Sequence, residues 1–446
     1  MSDSGNNEWV KELLGQLVEL RRGITYNLAI LDSEKEGLPY INMKSFLKGG
    51  GFNHEGTKRY AGIYGQQDLI GEFDLLIANT DVTAGDIVGV PAVLPDELVS
   101  QKALYSHHVT RLRIIGGIIV PFLYYLLCLP EYRSQMLRIA RGTTVLMLDM
   151  QAIKRIPIRM PKEIAEQRRI TKLLTTIDTA IKKTESLIAK YQQIKAGLMY
   201  DLFTRGVTAN GKLRPPRDKA PELYKETPIG WIPKEWVPRS LRNLVGAENV
   251  INGPFGSDLL TSELKTEGIL VLYVQDIKPG YFNRISNAYV TQYKAAELAF
   301  CNVRADDVLV AKVGAPPCDS CVYDLEVNAI VTQDVIRIRP KFNIDSIYLS
   351  SIINSAFGRK SIKKISIRGT RERVSLTEFK SLVFPIAALQ EQVDIGKLLA
   401  GAQDLIEKET SKREKLLRLK LGLMHDLLTG KVPLKVEQEP VEMVCG

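Results

Sequence analysis

Apolar residues recur at helical spacing through residues 162–206. Ile170, Ile177, Thr184, Tyr191 and Leu198 form one series, and Leu174, Ile181, Ile188, Lys195 and Leu202 the other. This is a heptad seam interrupted only by Thr184 and Lys195. No proline falls within 162–203, so the pattern predicts a helix of about 38 residues, roughly 57 Å long. Residues 386–432 carry a weaker version: Ile395, Ala402, Glu409, Leu416 and Leu423, with Leu399, Ile406, Arg413, Lys420 and Leu427. Its apolar stripe is expected to drift to include Leu405, Leu417 and Leu419. Two such stripes are most simply buried against each other as an antiparallel pair; packing each on its own domain is the alternative.

The two segments are copies. GLMYDLFT at 197–204 returns as GLMHDLLT at 422–429, and without gaps 18 of the 42 positions in 166–207 match those in 391–432. A repeat this long implies a duplicated half-molecule rather than a solenoid. The regions before each helix also correspond. Glu8-Trp9-Val10 aligns with Glu235-Trp236-Val237, and Asp74–Ala78 with Asp307–Ala311. Arg111-Leu112-Arg113 aligns with Arg337-Ile338-Arg339, and Arg141-Gly142-Thr143 with Arg368-Gly369-Thr370. Short β-rich runs such as 268–274 and 328–340 alternate with Gly, Asn and Asp turns, while 120–139 and 344–364 have helical patterns. The expected fold class is α+β, with two α/β domains at 1–161 and 229–385. Each is followed by a long helix, at 162–206 and 386–432. The proline-rich stretch 207–228 reads as a linker and 433–446 as a flexible tail.

Composition narrows the function. A net charge of +9 suits a polyanionic partner without proving one. Nothing at the N-terminus reads as a signal peptide. The most apolar stretch, 114–129, is short for a bilayer and broken by Gly116, Gly117 and Pro121, so it reads as a strand running into a core helix. Five scattered cysteines fit a reducing, cytoplasmic setting, and Cys318-Asp-Ser-Cys321 lacks the further ligands a zinc site needs. No HExxH, GxSxG, Walker or dinucleotide loop is present. Asn252-Gly-Pro-Phe255 has the outline of the loop with which amino-methyltransferases hold a flipped base, but glycine stands at its second position and no cofactor loop accompanies it. Neither a catalytic nor a metal-binding set is expected.

The basic and polar clusters stand out instead. Residues 357–373 hold seven Lys/Arg and one acid, a density that can neutralise phosphates, and arginine can also read a guanine edge. The candidate DNA contacts there are Arg359, Lys360, Lys363, Lys364, Arg368, Thr370, Arg371 and Arg373, with Lys312 nearby. In the first domain they are Lys58, Arg59, Tyr60, Asn79, Thr80, His107, His108, Arg141, Thr143 and Thr144. The other reading of such a run is a solvated charged face.

The motif Glu-Gln-x-x-Ile-x-Lys-Leu-Leu, running to Lys-x-Gly-Leu-Met-x-Asp-Leu-[Leu/Phe]-Thr and present twice, resembles the helices of type I restriction–modification specificity subunits. So does Gly230-Trp231-Ile232-Pro233-Lys234-Glu235-Trp236. The resemblance implies a non-catalytic subunit that reads a bipartite, asymmetric duplex DNA target, one half per domain, with the helix pair as spacer. It also implies docking of two methyltransferase and two restriction–translocase subunits, which would bring S-adenosylmethionine, ATP and Mg²⁺. Glu166, Gln167, Lys195, Leu198, Met199, Glu391, Gln392, Lys420, Leu423 and Met424 are the expected subunit interface. Two rivals are a coiled-coil scaffold with two protein-binding domains and a fused methyltransferase or nuclease.

Overall fold

The computed structural model describes residues 8–25, 31–32, 37–82, 85–367, 369 and 371–434. It divides into two compact units: residues 1–183 with 412–446, and residues 184–411. Each unit therefore holds one mixed α/β domain and one half of each long helix.

The two domains repeat one plan. In the first, strands Val18–Arg22, Val109–Ile114, Asp74–Ala78 and Pro91–Ala92 form a sheet in that order. In the second the order is Val250–Asn252, Val335–Ile338, Val308–Ala311 and Ser320–Val322. Asp74–Ala78 and Val308–Ala311 are buried throughout, as the apolar runs 75–78 and 308–311 demand. The aligned Arg-x-Arg motifs lie on neighbouring strands. In each, the second arginine makes a two-pronged salt bridge: Arg113 to Asp74 at 2.9 and 3.0 Å, and Arg339 to Asp307 at 2.9 and 2.7 Å. The first arginine of each pair is buried and donates to loop carbonyls, Arg111 to Gln67 and Leu69, and Arg337 to Phe300. These repeated charges hold the sheet to its loops.

Each domain closes with an antiparallel pair just before its helix. Trp9–Leu13 pairs with Pro157–Pro161, and Val237–Ser240 with Val383–Ile386. The long helices follow at Ile164–Thr204, 41 residues, and Leu389–Leu428, 40 residues. The helical patterns at 120–139 and 344–364 each resolve into two helices. Val120–Cys128 breaks at Leu129 before Pro130, whose ring cannot continue the turn. Ser346–Asn354 breaks at Ser355, whose hydroxyl caps the next helix by accepting from Gly358.

The duplicated glutamines dock each helix on its domain by one scheme. Gln167 accepts from the Ile119 amide at 3.0 Å and donates to the carbonyls of Gly117 and Pro161. Gln392 accepts from the Asp345 amide at 2.9 Å and donates to those of Asn343 and Ala387. Both are buried, so a single side chain satisfies three backbone groups that water cannot reach.

Within the first unit, Ile170 and Leu174 of the first helix share a core with Met424, Leu427 and Leu428 of the second, and with Leu14, Leu17 and Phe122 of the domain. Within the second unit, Leu202 and Phe203 meet Ile395 and Leu399 over Trp236 and Tyr348. The helix segments thus pack both on each other and on a domain. The duplicated lysines follow the same logic. Lys420 meets Asp178 at 2.6 Å in the first unit, and Lys195 meets Gln403 at 2.6 Å in the second; Asp178 and Gln403 are themselves aligned positions of the repeat.

Two expectations change. The stripe of the second helix does not drift: Leu405, Leu417 and Leu419 are exposed, while every heptad position from Ile395 to Leu427 is buried or half-buried. Glu409 and Arg413 occupy the seam half-buried. Residues 207–228 are not a loose linker either. Val207, Arg214, Ala220 and Tyr224 are buried, and Tyr224–Thr227 forms a hairpin with Gly230–Pro233. Arg214 anchors the segment. It donates to Glu391 at 2.5 and 3.1 Å and to Glu235 at 2.7 Å, while Glu391 also accepts from the Val207 amide and the Trp236 indole. Burial works against the charge on Arg214; the two glutamates outweigh it and hold its pKa above the usual value. The tail beyond residue 434 lies outside the described residues.

Candidate nucleic-acid interface

Residues 356–373 form a helix and a hairpin. Ala356–Ile365 carries Lys360, Lys363 and Lys364 on its exposed side and buries Gly358 and Ile362. The strands Ser366–Ile367 and Glu372–Val374 pair, and the second also pairs with Val313–Gly314. Arg371 and Arg373 are exposed on this hairpin. Five cations thus share one helix–hairpin element with no ion pair among the described residues, an arrangement suited to a polyphosphate backbone. Arg368 and Thr370 lie outside the described residues.

Arg359 belongs elsewhere. Its guanidinium donates to Asp319 at 2.5 Å, to the Asn354 side chain at 3.0 Å and to the Pro317 carbonyl at 2.9 Å, which makes it a brace for the 316–319 turn. The two kinds of cation separate in a titration. Lys363→Gln is expected to weaken duplex binding at every sequence and lower the slope of log K against log salt by about 1. Arg359→Gln should leave that slope alone and lower the unfolding midpoint. Equal slope changes in filter-binding at several salt concentrations would reject the distinction.

In the first unit the candidates divide similarly. Arg141, Thr143 and Thr144 are exposed on the turn joining two short strands, Arg141 with Asp149 at 3.3 Å. Lys58 and Arg59 are half-buried, and Arg59 donates to the Gly37 carbonyl. Tyr60 is buried and stacks on Tyr40 with ring centres 5.4 Å apart, so it is a packing residue, not a DNA contact. Thr80 and His108 meet at 3.0 Å, and the His107 and His108 rings lie 3.8 Å apart. Burial first and His107 second lower the pKa of His108, which keeps its ring neutral at physiological pH. Asn79 and Thr80 are buried too closely to touch a duplex from this conformation. The Asn79 side-chain amide has no hydrogen-bond partner among the described residues, while its backbone N–H donates to the His108 carbonyl.

The residues expected at a subunit interface are engaged within this chain. Glu166, Gln167, Gln392 and Met424 are buried, and Glu391 is locked on Arg214. Leu198, Met199 and Leu423 pack on the domain cores, while Lys195 and Lys420 face the opposite helix. Polar identity in the repeat marks the joints that dock helix to domain, a role sequence spacing alone could not separate from partner contact. The large apolar residues left exposed are Leu173, Ile194 and Tyr200 on the first helix, and Leu389, Leu398, Leu405, Leu417, Leu419 and Leu421 on the second.

Cys301, Cys318 and Cys321 are free and buried, and burial pushes the Cys318 thiol up to about 12, which leaves little thiolate for redox chemistry. Among the described residues, no helix is long and apolar enough to cross a membrane, and no His/Cys/Asp/Glu group is placed to hold a metal.

Known proteins share this architecture. A solved S subunit of a type I restriction–modification system from M. genitalium superposes with a TM-score of 0.56, covering 96% of this chain and 98% of that one at 15% identity. A structure from work on complex assembly and conformational transition of the type I system gives 0.53. The Type I restriction enzyme MjaVIII specificity subunit of Methanocaldococcus jannaschii is 23% identical over 96% of this chain and 94% of its own length. The EcoBI specificity subunit of Escherichia coli is 21% identical over 99% and 90%. The family described as the type I restriction modification DNA specificity domain matches residues 6–193 and 277–418. The match favours DNA recognition over a protein scaffold or a fused enzyme, and with most of its length covered the chain belongs to the family of type I restriction–modification specificity subunits.

Proposed function

We propose that this chain reads a bipartite, asymmetric DNA target, one half through the domain before each long helix. The helices act as an antiparallel coiled-coil spacer with pseudo-twofold symmetry. The observation that carries this reading is the exchange of partners by the duplicated lysines. Lys195 meets Gln403 and Lys420 meets Asp178, a reciprocity that arises when two copies of one segment run in opposite directions about a twofold axis. A rod of about 60 Å exceeds one duplex turn of about 34 Å, so successive major grooves are within its span.

The partners follow from the family. Two methyltransferase subunits, carrying S-adenosylmethionine, dock against the exposed apolar residues of the two helices, and two ATP- and Mg²⁺-dependent restriction subunits complete the assembly. Recognition belongs to this chain and catalysis to those partners. Exchanging residues 1–161 for the corresponding domain of another specificity subunit is expected to alter one half of the methylated sequence and leave the other half and the gap unchanged. Methylation-sensitive sequencing reads the outcome, and a change in both halves together would defeat the modular assignment.

A further inference from the structure

The loop Asn252–Phe255 combines a rigid backbone with an exposed aromatic ring. Gly253 donates to the Thr332 carbonyl, and a Cβ at this position would collide with the Val331 carbonyl oxygen. Only glycine allows so close an approach. The Asn252 amide donates to the carbonyls of Gly253 and Gln333. This asparagine is therefore occupied in holding the loop, unlike the base-gripping residue its motif suggests. What the loop presents is Phe255, 62% exposed. Lys312 places its ammonium 5.7 Å from the centre of the ring. A phenyl ring held out to solvent on a pinned loop gains nothing for the fold, since burial is what stabilises an aromatic side chain.

Phe255 lies in the chain between Pro254 and Gly256, two residues that line a cleft of about 740 Å³. That volume lies within the range of small-molecule sites. Tyr273, Gln275 and Gln333 supply a further aromatic surface and amide groups, and Arg371 reaches the cleft from the basic hairpin. Aromatic ring, cation over the ring, amides within and arginine at the mouth are the groups that hold an unpaired nucleotide. The base stacks on an aromatic face, amides meet its edge and cations meet its phosphate. In the first domain the position aligned with Lys312 is the buried Asn79, so this combination is peculiar to the second.

We propose that this cleft accepts one nucleotide turned out of the duplex in the half-site read by residues 229–385, with Phe255 stacking on its base. The proposal rests on the assignment of that domain to DNA recognition and adds a mode of readout to it. The test uses the chain assembled with its methyltransferase and duplexes carrying the mapped target. 2-Aminopurine replaces each purine of that half-site in turn, the methylated adenine excepted. One position is expected to fluoresce several-fold above the free duplex. Mispairing the nucleotide that turns out is expected to tighten binding, because its unpairing no longer opposes the complex. Phe255→Ala should abolish both effects and weaken specific binding about 10-fold or more, whereas Phe255→Trp should retain them. If no position brightens and mispairs do not tighten binding, or if Phe255→Ala behaves as the parent, the proposal falls while recognition stands. If the parent complex fails to prefer its target over random duplex, both fall.

Discussion

Replacing Glu391 by alanine is expected to be among the most destabilising single changes in the second unit. Its carboxylate accepts from both terminal nitrogens of Arg214, the Val207 amide and the Trp236 indole. Without it the Arg214 side chain, 9% exposed, keeps the Arg205 carbonyl and, as its one carboxylate, Glu235, whose own side chain is 71% exposed and held in water. Breaking a buried pair from one side costs about 3–5 kcal/mol, because the remaining charge stays desolvated. The effect should appear as a lower urea midpoint and as faster proteolysis within 205–236, the segment that Arg214 tethers. Glu391→Gln should fall between, since an amide can still accept from Val207 but cannot neutralise arginine. A midpoint within experimental error of the parent for Glu391→Ala would show that the network contributes nothing net.

The second large effect concerns the spacer. Inserting seven residues into one long helix alone is expected to destroy the assembly, because it shifts every seam residue beyond the insertion past its partner. Inserting seven residues into each, at 182–183 and 411–412, keeps the heptad register on both sides. The rod then grows by about 10.5 Å, close to three base pairs at about 3.4 Å each. The half-sites should stay as they are while the gap between them lengthens. Three base pairs also turn the duplex by about 100°, so affinity should drop even where spacing is matched. A methylation map with the original gap would dismiss the ruler.

The long helices were legible because duplication and heptad spacing are local patterns that survive in one dimension. The doubled sheet plan could be suspected from aligned Arg-x-Arg and Asp-Leu-Leu runs, but their role could not. Asp74 lies 39 residues from Arg113, and only the strand pairing brings them together. Long-range partners account for the other misreadings. The proline-rich stretch looked like a linker since Arg214 finds Glu391 across 177 residues. Glu166 and Gln167 were expected at a subunit interface since nothing nearby reveals the buried carbonyls that Gln167 satisfies. Tyr60 and Asn79 were read as base-contacting types, and burial placed both inside. The exposed lysines of 360–364 needed no partner, and helical spacing alone put them on one face.

Met424, Leu427 and Leu428 complete the hydrophobic interior around Leu14 and Leu17, and the Gly430 backbone lies against the Trp9 indole. The domain before the first long helix therefore waits until the second long helix has been translated before its interior is filled. Until then Ile170 and Leu174 lack their cover from the second helix, a state open to chaperones and to association with other nascent chains. A stop codon just before residue 424 would strip the domain before the first long helix of this apolar cover, so such truncations should be cleared by proteases rather than persist as half-functional readers.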